Sequence, residues 1–375
     1  MSKVSVIRTS PGSVLGDYGK AMDLAGIGEA VSRDVKTVIK LNLSWTLFYP
    51  ACSTPPWQLD GVLKGLRERG YKDLVAVENQ TVVTHPWKGA YNNRWLPILD
   101  RYDVTFEPLT NVEWVAYQPK SEMLAMDEIF GEILVPEIFI GKNVVHLPTV
   151  KTHGHTTTTG SMKNAFGGLI PKYRHHAHRK IHEVLVDLLA IQREIHPSIF
   201  TAMDGGVCGN GAGPRTMVPF IGDIILASDD PVSIDAAASK IMGFDPMKID
   251  YIKMAHDRGL GMGDLDQVDI VGMERSEFNR LNFGFEVKRS PIIMGDQLLR
   301  KKTADIKWLH SLLFHSPIFR LFIFGSETYH DKIWYPLSGE QAIKRFLASE
   351  WGALFEQYPA GQYPEYVEVK DWNRY

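Results

Sequence analysis

The segment from Lys151 to Asn164, KTHGHTTTTGSMKN, brings together residue types that can bind a ligand or transfer a proton. His153 and His155 lie two residues apart, a spacing that places both imidazoles on one face of an extended segment. There they could bind a divalent metal ion, bind an anion or move a proton. Two histidines are an incomplete zinc site, so the alternative is one hydrogen-bonded loop histidine beside one solvent-exposed histidine.

Hydroxyl and amino groups in the same segment favour an anion as the ligand. One of the four threonines Thr156 to Thr159 could begin a helix through SMKNAFGGLI, with exposed backbone amides at its N-terminus. Such amides, together with lysine side chains, suit a phosphate or a carboxylate. The candidate side chains are those of Lys151, Thr159, Lys163 and Asn164. A threonine N-cap beside solvated lysines is the alternative interpretation.

A second polar segment, MDGGVCGNGAGPRT from Met203 to Thr216, is dense in glycine, which lets a backbone approach a ligand closely. It lacks the lysine of a Walker loop and the spacing of a dinucleotide-binding loop. Asp204 is predicted to end a strand, where its carboxylate could bind a metal ion or act as a general base. A turn aspartate that accepts hydrogen bonds from its own following amides is the alternative. Asn210 is a candidate substrate-binding residue.

A third segment, RHHAHRKIHE from Arg174 to Glu183, carries His175, His178 and His182 at helical spacing. On a helix these histidines would share one face. The spacing does not define a fourth ligand, so a solvated cationic face is favoured over a second metal site.

These residues need a scaffold that brings distant parts of the chain together. Apolar or β-branched runs alternate with amphipathic segments from residue 3 to about residue 272. This alternation predicts an α/β fold with a mostly parallel sheet, helices on both faces, and two lobes that divide near residues 110–145. Ligands bind outside the carboxyl ends of the strands in such sheets, which adds Lys40 and Asn42, after the run KTVI, as substrate-binding candidates. Glu78, after the run DLVAV, is a polar residue at another strand end and is expected at the same crevice.

Helix boundaries are indicated at several points along the chain. A helix is predicted over Ala21–Val31, and a second one begins at Pro55-Pro56 with Thr54 as its N-cap. A third covers Pro231–Met242 after Asp230, another substrate-binding candidate. Residues 273–375 are predicted to form a mostly helical, aromatic-rich extension. Its apolar run Ile306–Gly325 is interpreted as a helix packed on the core, with an interfacial membrane helix as the alternative.

The composition excludes some classes of protein. A formal net charge of −3 over 375 residues argues against a chain that coats nucleic acid. Cys52 and Cys208 form no CxxC pair, so no iron–sulfur cluster is expected. The N-terminal residues MSKVSVIRTSPGS lack a signal-peptide core, which predicts a cytoplasmic protein, peripheral to a membrane if Ile306–Gly325 binds one.

An ordered series of motifs between residues 36 and 272 resembles the family known as domain of unknown function 362. The motifs are Lys40-Leu41-Asn42, Thr54-Pro55, Leu147 to His153, Thr159 to Gly167, Asp204-Gly205 with Gly209 to Pro214, and Ala227 to Asp235. Some members carry a ferredoxin-like cysteine cluster that this chain lacks. The chain is more distantly similar to the N-terminal part of nickel-pincer lactate racemases, which implies proton or hydride movement next to a carboxylate.

These observations predict an enzyme of a biosynthetic or tailoring pathway that acts on a small anionic substrate, a carboxylate or a phosphate. The reaction would be an elimination, an isomerisation or a group transfer. Lys151 and Lys163 would hold the anion, and His153 or His155 would move a proton.

A divalent metal ion, if the enzyme uses one, is predicted to bind His153, His155 and Asp204. Asp204 and Asp230 would complete the polar crevice. Two alternatives remain open: a non-catalytic protein that carries a ligand or a metallocofactor, and a membrane-surface enzyme that acts on a lipid or isoprenoid phosphate.

Overall fold

The structure, a computed structural model, describes residues 2–81, 84–171, 174–303, 306–314, 316 and 318–363. Its strands are β1 (Lys3–Arg8), β2 (Thr37–Lys40), β3 (Leu74–Glu78), β4 (Thr105–Pro108), β5 (Trp114–Ala116), β6 (Leu134–Pro136), β7 (Asn143–His146), β8 (Thr149–His153), β9 (Thr157–Thr158), β10 (Ile199–Ala212), β11 (Thr216–Ser228) and β12 (Asp269–Val271).

Helices α1 to α10 surround the strands. They are α1 (Val14–Leu24), α2 (Ile27–Ala30), α3 (Pro56–Glu68), α4 (Pro86–Asn92), α5 (Leu96–Arg101), α6 (Met126–Phe130), α7 (Ser161–Leu169), α8 (Ile181–Ile195), α9 (Pro231–Met242) and α10 (Asp250–Asp257). The C-terminal region adds α11 (Arg275–Arg280), α12 (Pro291–Thr303), α13 (Lys307–Phe314), α14 (Phe319–Glu327), α15 (Glu340–Leu347) and α16 (Glu350–Gln357).

The main sheet has the strand order β12-β1-β11-β10-β7-β2-β3-β4. Neighbouring strands on this path are parallel except that β11 runs antiparallel to both β1 and β10. Strand β8 pairs with β10, β9 pairs with β8, and β5 with β6 forms a separate small sheet within residues 110–145. The predicted α/β fold with a mostly parallel sheet is confirmed, and the division into two lobes stays a prediction.

Side chains of one strand enter two different cores because successive residues point to opposite faces of a sheet. On β2, Ile39 packs in the cluster that contains residues of α1 and α3. Its neighbour Val38 packs in the cluster that contains residues of α7 and α8. Helices therefore cover both faces of the sheet, and its polar strand ends are left to form a site.

Two of the predicted helix boundaries are wrong. The helix predicted over Ala21–Val31 is split, because Gly26 adopts a left-handed conformation with φ of 80° between α1 and α2. Thr54 does not cap α3, which begins at Pro56 with Pro55 as its N-cap residue. The Thr54 hydroxyl instead accepts the backbone N–H of Asn42 and donates to the carbonyl oxygen of Leu147, each at 2.8 Å. Thr54 thereby joins the segments that follow β2 and β7.

Most of the glycine-dense segment, Met203 to Ala212, lies within a strand, and its last residues form the turn to the next strand. Strand β10 continues from Ile199 to Ala212 and pairs with β11, so Asp204 lies inside a strand and the expected strand end is wrong. Glycines are needed here for packing. A Cβ atom at Gly206 would lie 2.6 Å from the Trp351 ring, and one at Gly209 would lie 2.5 Å from the Met217 sulfur.

The C-terminal region is helical, as predicted, and much of it packs on the main core. Trp351 of α16 contacts Trp57 of α3, with ring centroids 4.9 Å apart, and Phe355 stacks on Phe48 at 4.1 Å. Residues 364–375 of the predicted extension lie outside the described residues.

The predicted helix Ile306–Gly325 is two helices, α13 and α14; His315 and Pro317 between them lie outside the described residues. Phe314 is buried, whereas Trp308, Leu321 and Phe324 are 62 to 70% exposed. The segment therefore packs on the protein only in part. Within the described residues, every helix is too short or too polar to cross a membrane.

Candidate functional site

A cleft of about 250 Å³ opens at the carboxyl ends of β2, β3 and β8. It is lined by Lys40, Asn42, Leu43, Ser44, Glu78, Thr81, Thr84, His153, His155, Lys163, Asn164, Phe166, Gly167, His178, Pro214, Arg215 and Ile293. Seven residues predicted from the sequence thus come together: Lys40, Asn42, Glu78, His153, His155, Lys163 and Asn164. The other predicted site residues lie elsewhere.

Strand ends supply the floor of the cleft. Lys40, Glu78 and His153 are the last residues of β2, β3 and β8. The Lys40 ammonium group donates to both Glu78 carboxylate oxygens at 2.9 Å and to the Leu41 carbonyl oxygen at 2.5 Å. The two side chains are only 1% and 3% exposed. Such a buried pair depends on both partners, because either charge alone would be poorly solvated.

Lys151 lies behind the cleft lining and was not expected there. Its ammonium group donates to Asn42 Oδ1 at 2.5 Å, to Thr149 Oγ1 at 2.6 Å and to the Cys52 carbonyl oxygen at 3.0 Å. Burial lowers the pKa of Lys151 to about 8. Lys151 therefore positions the Asn42 amide instead of facing the cleft.

A chain of hydrogen bonds runs from the core to the cleft. His146 Nε2 lies 2.7 Å from Gln192 Oε1, and His146 Nδ1 lies 3.3 Å from Asn164 Nδ2. Asn164 Oδ1 accepts a hydrogen bond from Asn42 Nδ2 at 3.4 Å. Burial lowers the pKa of His146 to about 3, so the ring is neutral and its proton is on Nε2, facing Gln192. The chain fixes the orientation of both cleft amides.

The two histidines of the opening segment are both on the cleft lining. His153 is buried, and its Nδ1 accepts the backbone N–H of His155 at 3.1 Å. Burial, and then the charge of Lys163, hold the pKa of His153 well below its usual range. Burial lowers the pKa of His155 to about 4. Both rings are therefore neutral near pH 7.

The start of α7 does not offer its amides to a ligand, in contrast to the sequence-based expectation. The backbone N–H groups of Ser161 and Met162 donate to the carboxylate of Asp235, at 2.6 and 3.1 Å. Asp235 belongs to α9, so a carboxylate of the protein itself occupies this helix N-terminus. Gly160 is the N-cap residue, and no threonine caps the helix.

Cationic side chains dominate the charge of the lining. Lys40, Lys163 and Arg215 line the cleft together with one carboxylate, Glu78, among the described residues. Lys163 lies in the first turn of α7, with its ammonium 5.3 Å from the centre of the Phe166 ring. Arg215 Nη2 donates to Ser326 Oγ of α14 at 2.9 Å. With His153 and His155 neutral, these three cations exceed the one carboxylate by two charges.

Asp204 is not in the cleft. It is completely buried, and its Oδ1 accepts hydrogen bonds from Tyr18 Oη at 2.7 Å and Trp57 Nε1 at 2.9 Å. Burial raises the pKa of Asp204 to about 6. The carboxylate thus ties β10 to α1 and α3, and it does not meet His153 or His155.

Three further candidates have structural partners away from the cleft. Asp230 caps α9 by accepting the N–H groups of Val232 and Ser233. Asn210 Oδ1 accepts the N–H of Glu286 at 3.0 Å. Thr159 Oγ1 donates to the backbone carbonyl oxygens of Thr149 and Lys151.

Several residues of the site were missed from the sequence. Arg215 lies in the turn between β10 and β11, and His178 lies in the 3-10 segment Arg174–Lys180. Neither has a local pattern that places it near the strand ends. Glu78, in contrast, was expected at this crevice because it directly follows the run DLVAV, and it lines the cleft.

Comparisons with known proteins agree with the motif order. The family model described as "Domain of unknown function (DUF362)" matches residues 37–240, more than half of the chain. A thylakoid-associated protein of Synechocystis sp. is 25% identical over 275 residues, which are 70% of this chain and 80% of the relative. No solved structure matches the chain significantly. The chain belongs to the DUF362 family.

Proposed function

We propose that the protein is an enzyme that binds a small carboxylate or phosphate in the cleft and moves a proton on it. The observation that carries this proposal is the charge of the lining. Lys40, Lys163 and Arg215 surround the same space, and Glu78 is the one carboxylate among the described residues of the lining. An anion would be drawn to this space, since charges interact strongly where water is partly excluded.

The polar residues of the lining support the orientation of a bound anion. The Asn42 and Asn164 amides are held in place by Lys151 and His146. His153 is a further donor, because its Nδ1 accepts a backbone N–H and the proton of the neutral ring is therefore on Nε2. Such a donor would stabilise an oxygen on which negative charge develops during the reaction.

Glu78 is the candidate proton acceptor. Among the described residues that line the cleft, Glu78 carries the one carboxylate, and a carboxylate can act as a general base. Lys40 beside it would stabilise the carboxylate between proton transfers. An elimination or an isomerisation next to an anionic group requires this combination of anion binding and proton removal.

The first experiment measures anion binding by titration calorimetry with inorganic phosphate, pyrophosphate and a set of small hydroxycarboxylates. Lys163→Met and Arg215→Met should each weaken binding about 10- to 100-fold, since each removes one charge-assisted hydrogen bond. Lys20→Met, which removes an exposed lysine on α1, is the control and should bind normally. Equal affinities in all four proteins would contradict the proposal.

The second experiment separates an enzyme from a carrier. Bound ligands are incubated in D2O, and proton NMR follows exchange of the C–H next to the anionic group. Glu78→Gln should abolish exchange without a loss of anion affinity, because it removes the proton acceptor and a negative charge from the lining. The variant leaves the Lys40 charge without its counter-charge, so circular dichroism must first show that it is folded. Binding without exchange or turnover of any ligand would favour the non-catalytic carrier.

A membrane-surface enzyme is a second candidate, and the C-terminal helices favour it. Helix α12 supplies Ile293 to the cleft, and α14 supplies Ser326 to Arg215. The same helices, with α13, expose apolar side chains, those of Met294, Leu298, Trp308, Leu321 and Phe324. A lipid or isoprenoid phosphate could reach the cleft from a bilayer bound there. The similarity to a thylakoid-associated protein supports a location at a membrane surface.

Vesicle flotation tests the second candidate. Full-length protein should float with vesicles that contain anionic lipid, and the Leu321→Glu/Phe324→Glu variant should not. Val218→Glu, which changes an exposed apolar residue of β11, is the control and should float. Failure of the unaltered protein to float would reject the membrane-surface enzyme and leave the enzyme that acts on a small soluble anion.

A further inference from the structure

Three side chains with metal-binding atoms meet beside the cleft. His155 comes from the turn between β8 and β9, His178 from the 3-10 segment Arg174–Lys180, and Asp296 from α12. One ligand atom from each of them lies within 4.8 Å of the other two. Within the described residues, this is the place where at least three histidine, cysteine or carboxylate groups converge so closely.

We propose that His155, His178 and Asp296 bind a divalent transition-metal ion, with zinc as the reference ion. Two imidazoles and one carboxylate are a donor set that zinc accepts. Atoms bound to one tetrahedral zinc ion lie about 3.3 Å apart, given bonds of about 2.0 Å. The distance from His178 Nδ1 to Asp296 Oδ2 is 4.0 Å, so these side chains must move closer together when the ion binds.

The contacts between the three residues agree with this geometry. The His155 and His178 rings are stacked, with centroids 4.6 Å apart and an interplanar angle of 25°. His178 Nδ1 is 4.0 Å from Asp296 Oδ2, which is too long for a hydrogen bond. A bound ion would bridge this distance.

Neighbouring side chains orient the proposed ligands. Arg300 Nε donates to Asp296 Oδ2 at 2.8 Å, and Arg300 is buried. Gln297 Nε2 lies 3.3 Å from His155 Nδ1. Gln297 Nε2 also donates to the carbonyl oxygen of Gly154 at 3.2 Å, which fixes the position of the amide beside the His155 ring. Such outer contacts are typical of metal sites and fix the tautomer of the ligand.

The position of the three residues indicates what the ion would do. Three protein ligands leave one position of a tetrahedral ion for water or for another ligand, which is the pattern of catalytic zinc sites. His155 and His178 line the cleft, so this position would face the bound anion. Contact between ion and anion rests on the proposed function, whereas metal binding itself does not. The ion would also hold α12 against the segment after β8.

The site differs from the one predicted from the sequence, which combined His153, His155 and Asp204. Asp204 is committed to Tyr18 and Trp57 inside the protein. His153 is a neighbour of the new site, with its ring centroid 5.8 Å from that of His155, but it is not one of the three converging residues. Because His153 also accepts the backbone N–H of His155, the control is a distant histidine, His256 of α10, which does not line the cleft.

The test uses full-length protein without an affinity tag, freed of metal by chelator and dialysed. Titration calorimetry with ZnCl2 should give one ion per chain, and CoCl2 should produce the visible absorption of a tetrahedral cobalt site. His155→Ala and His178→Ala should each weaken zinc binding at least about 100-fold. Asp296→Asn should weaken it as well, while His256→Gln should bind as the unaltered protein does.

Two results would overturn the proposal: no zinc binding by the unaltered protein, or undiminished binding by both His155→Ala and His178→Ala. Thermal unfolding of the metal-free variants checks that they fold. Anion binding is measured in parallel on metal-free protein. Failure of the unaltered protein to bind zinc rejects the metal site, and its failure to bind any of the anions rejects the proposed function.

Discussion

The ammonium group of Lys40 lies 2.9 Å from both carboxylate oxygens of Glu78, at the ends of two neighbouring parallel strands. The pair is almost completely buried beneath the cleft. The pair matters for both the fold and the site, because this contact links the ends of β2 and β3 and contributes to the charge of the cleft lining.

Removal of one partner of this pair should be costly. Lys40→Met leaves the Glu78 carboxylate buried without its counter-charge, and we expect the free energy of unfolding to fall by about 3–5 kcal/mol. Urea denaturation followed by circular dichroism measures this change. The double variant Lys40→Met/Glu78→Leu should recover most of the loss, since no lone charge remains. A double variant as unstable as Lys40→Met would show that packing, and not charge, dominates.

Substitutions of Asp230 and Lys163 should have opposite effects on stability and on anion affinity. Asp230→Ala removes the cap of α9 and a contact to the backbone of Met262, so the free energy of unfolding should fall by about 1–2 kcal/mol. Its anion affinity should be unchanged, because Asp230 does not line the cleft. Lys163→Met should keep its stability and lose affinity. Denaturation and calorimetry on both variants check this pattern, and a loss of anion affinity in folded Asp230→Ala would restore Asp230 as a binding residue.

Stability should respond to pH through His196. Burial lowers the pKa of His196 to about 4, so between pH 6.5 and pH 4 the unfolded chain binds a proton that the folded protein does not. His196 therefore destabilises the fold as the pH falls through this range, by about 1.4 kcal/mol per pH unit at most. His196→Asn keeps a donor for the Lys142 carbonyl oxygen, the partner of His196 Nδ1, and removes the titration.

The measurement compares urea denaturation of the unaltered protein and His196→Asn at pH 7, 6, 5 and 4.5. The difference between the two free energies of unfolding should shift in favour of the variant as the pH falls. Contributions from other titrating groups cancel in this difference. A constant difference across the range would contradict the assignment of a neutral, buried His196.

Gly206 should not tolerate a methyl group. A Cβ atom there would lie 2.6 Å from the Trp351 ring, so Gly206→Ala must displace α16 and should cost about 1–3 kcal/mol. Gly12→Ala is the control, because a Cβ at this exposed position meets nothing within 4 Å. Thermal unfolding measures both variants. Unchanged stability of Gly206→Ala would show that the helix packs more loosely than the structure indicates.

Local signals were sufficient for much of the scaffold. Helix α9 has the predicted bounds, Pro231–Met242. Asp230 caps this helix and Pro231 is its first residue, so its start depends only on neighbouring residues. The alternation of apolar runs and helices identified the parallel sheet, and the rule that its strand ends converge brought Lys40 and Asn42 to the same cleft as His153. Each of these inferences needs only neighbouring residues or the repeat of one structural unit.

The tertiary structure alone decided which polar groups face the cleft. Lys151 was predicted to hold an anion, but it donates to Asn42, which is 109 residues away in the chain. Asp204 is committed to Tyr18 and Trp57, and Asp296 reaches His155 from α12. The sequence by itself determined the elements and most of the strand-end candidates, because capping and periodicity are short-range. The partners of buried polar groups come from distant segments, and only the folded chain brings those segments together.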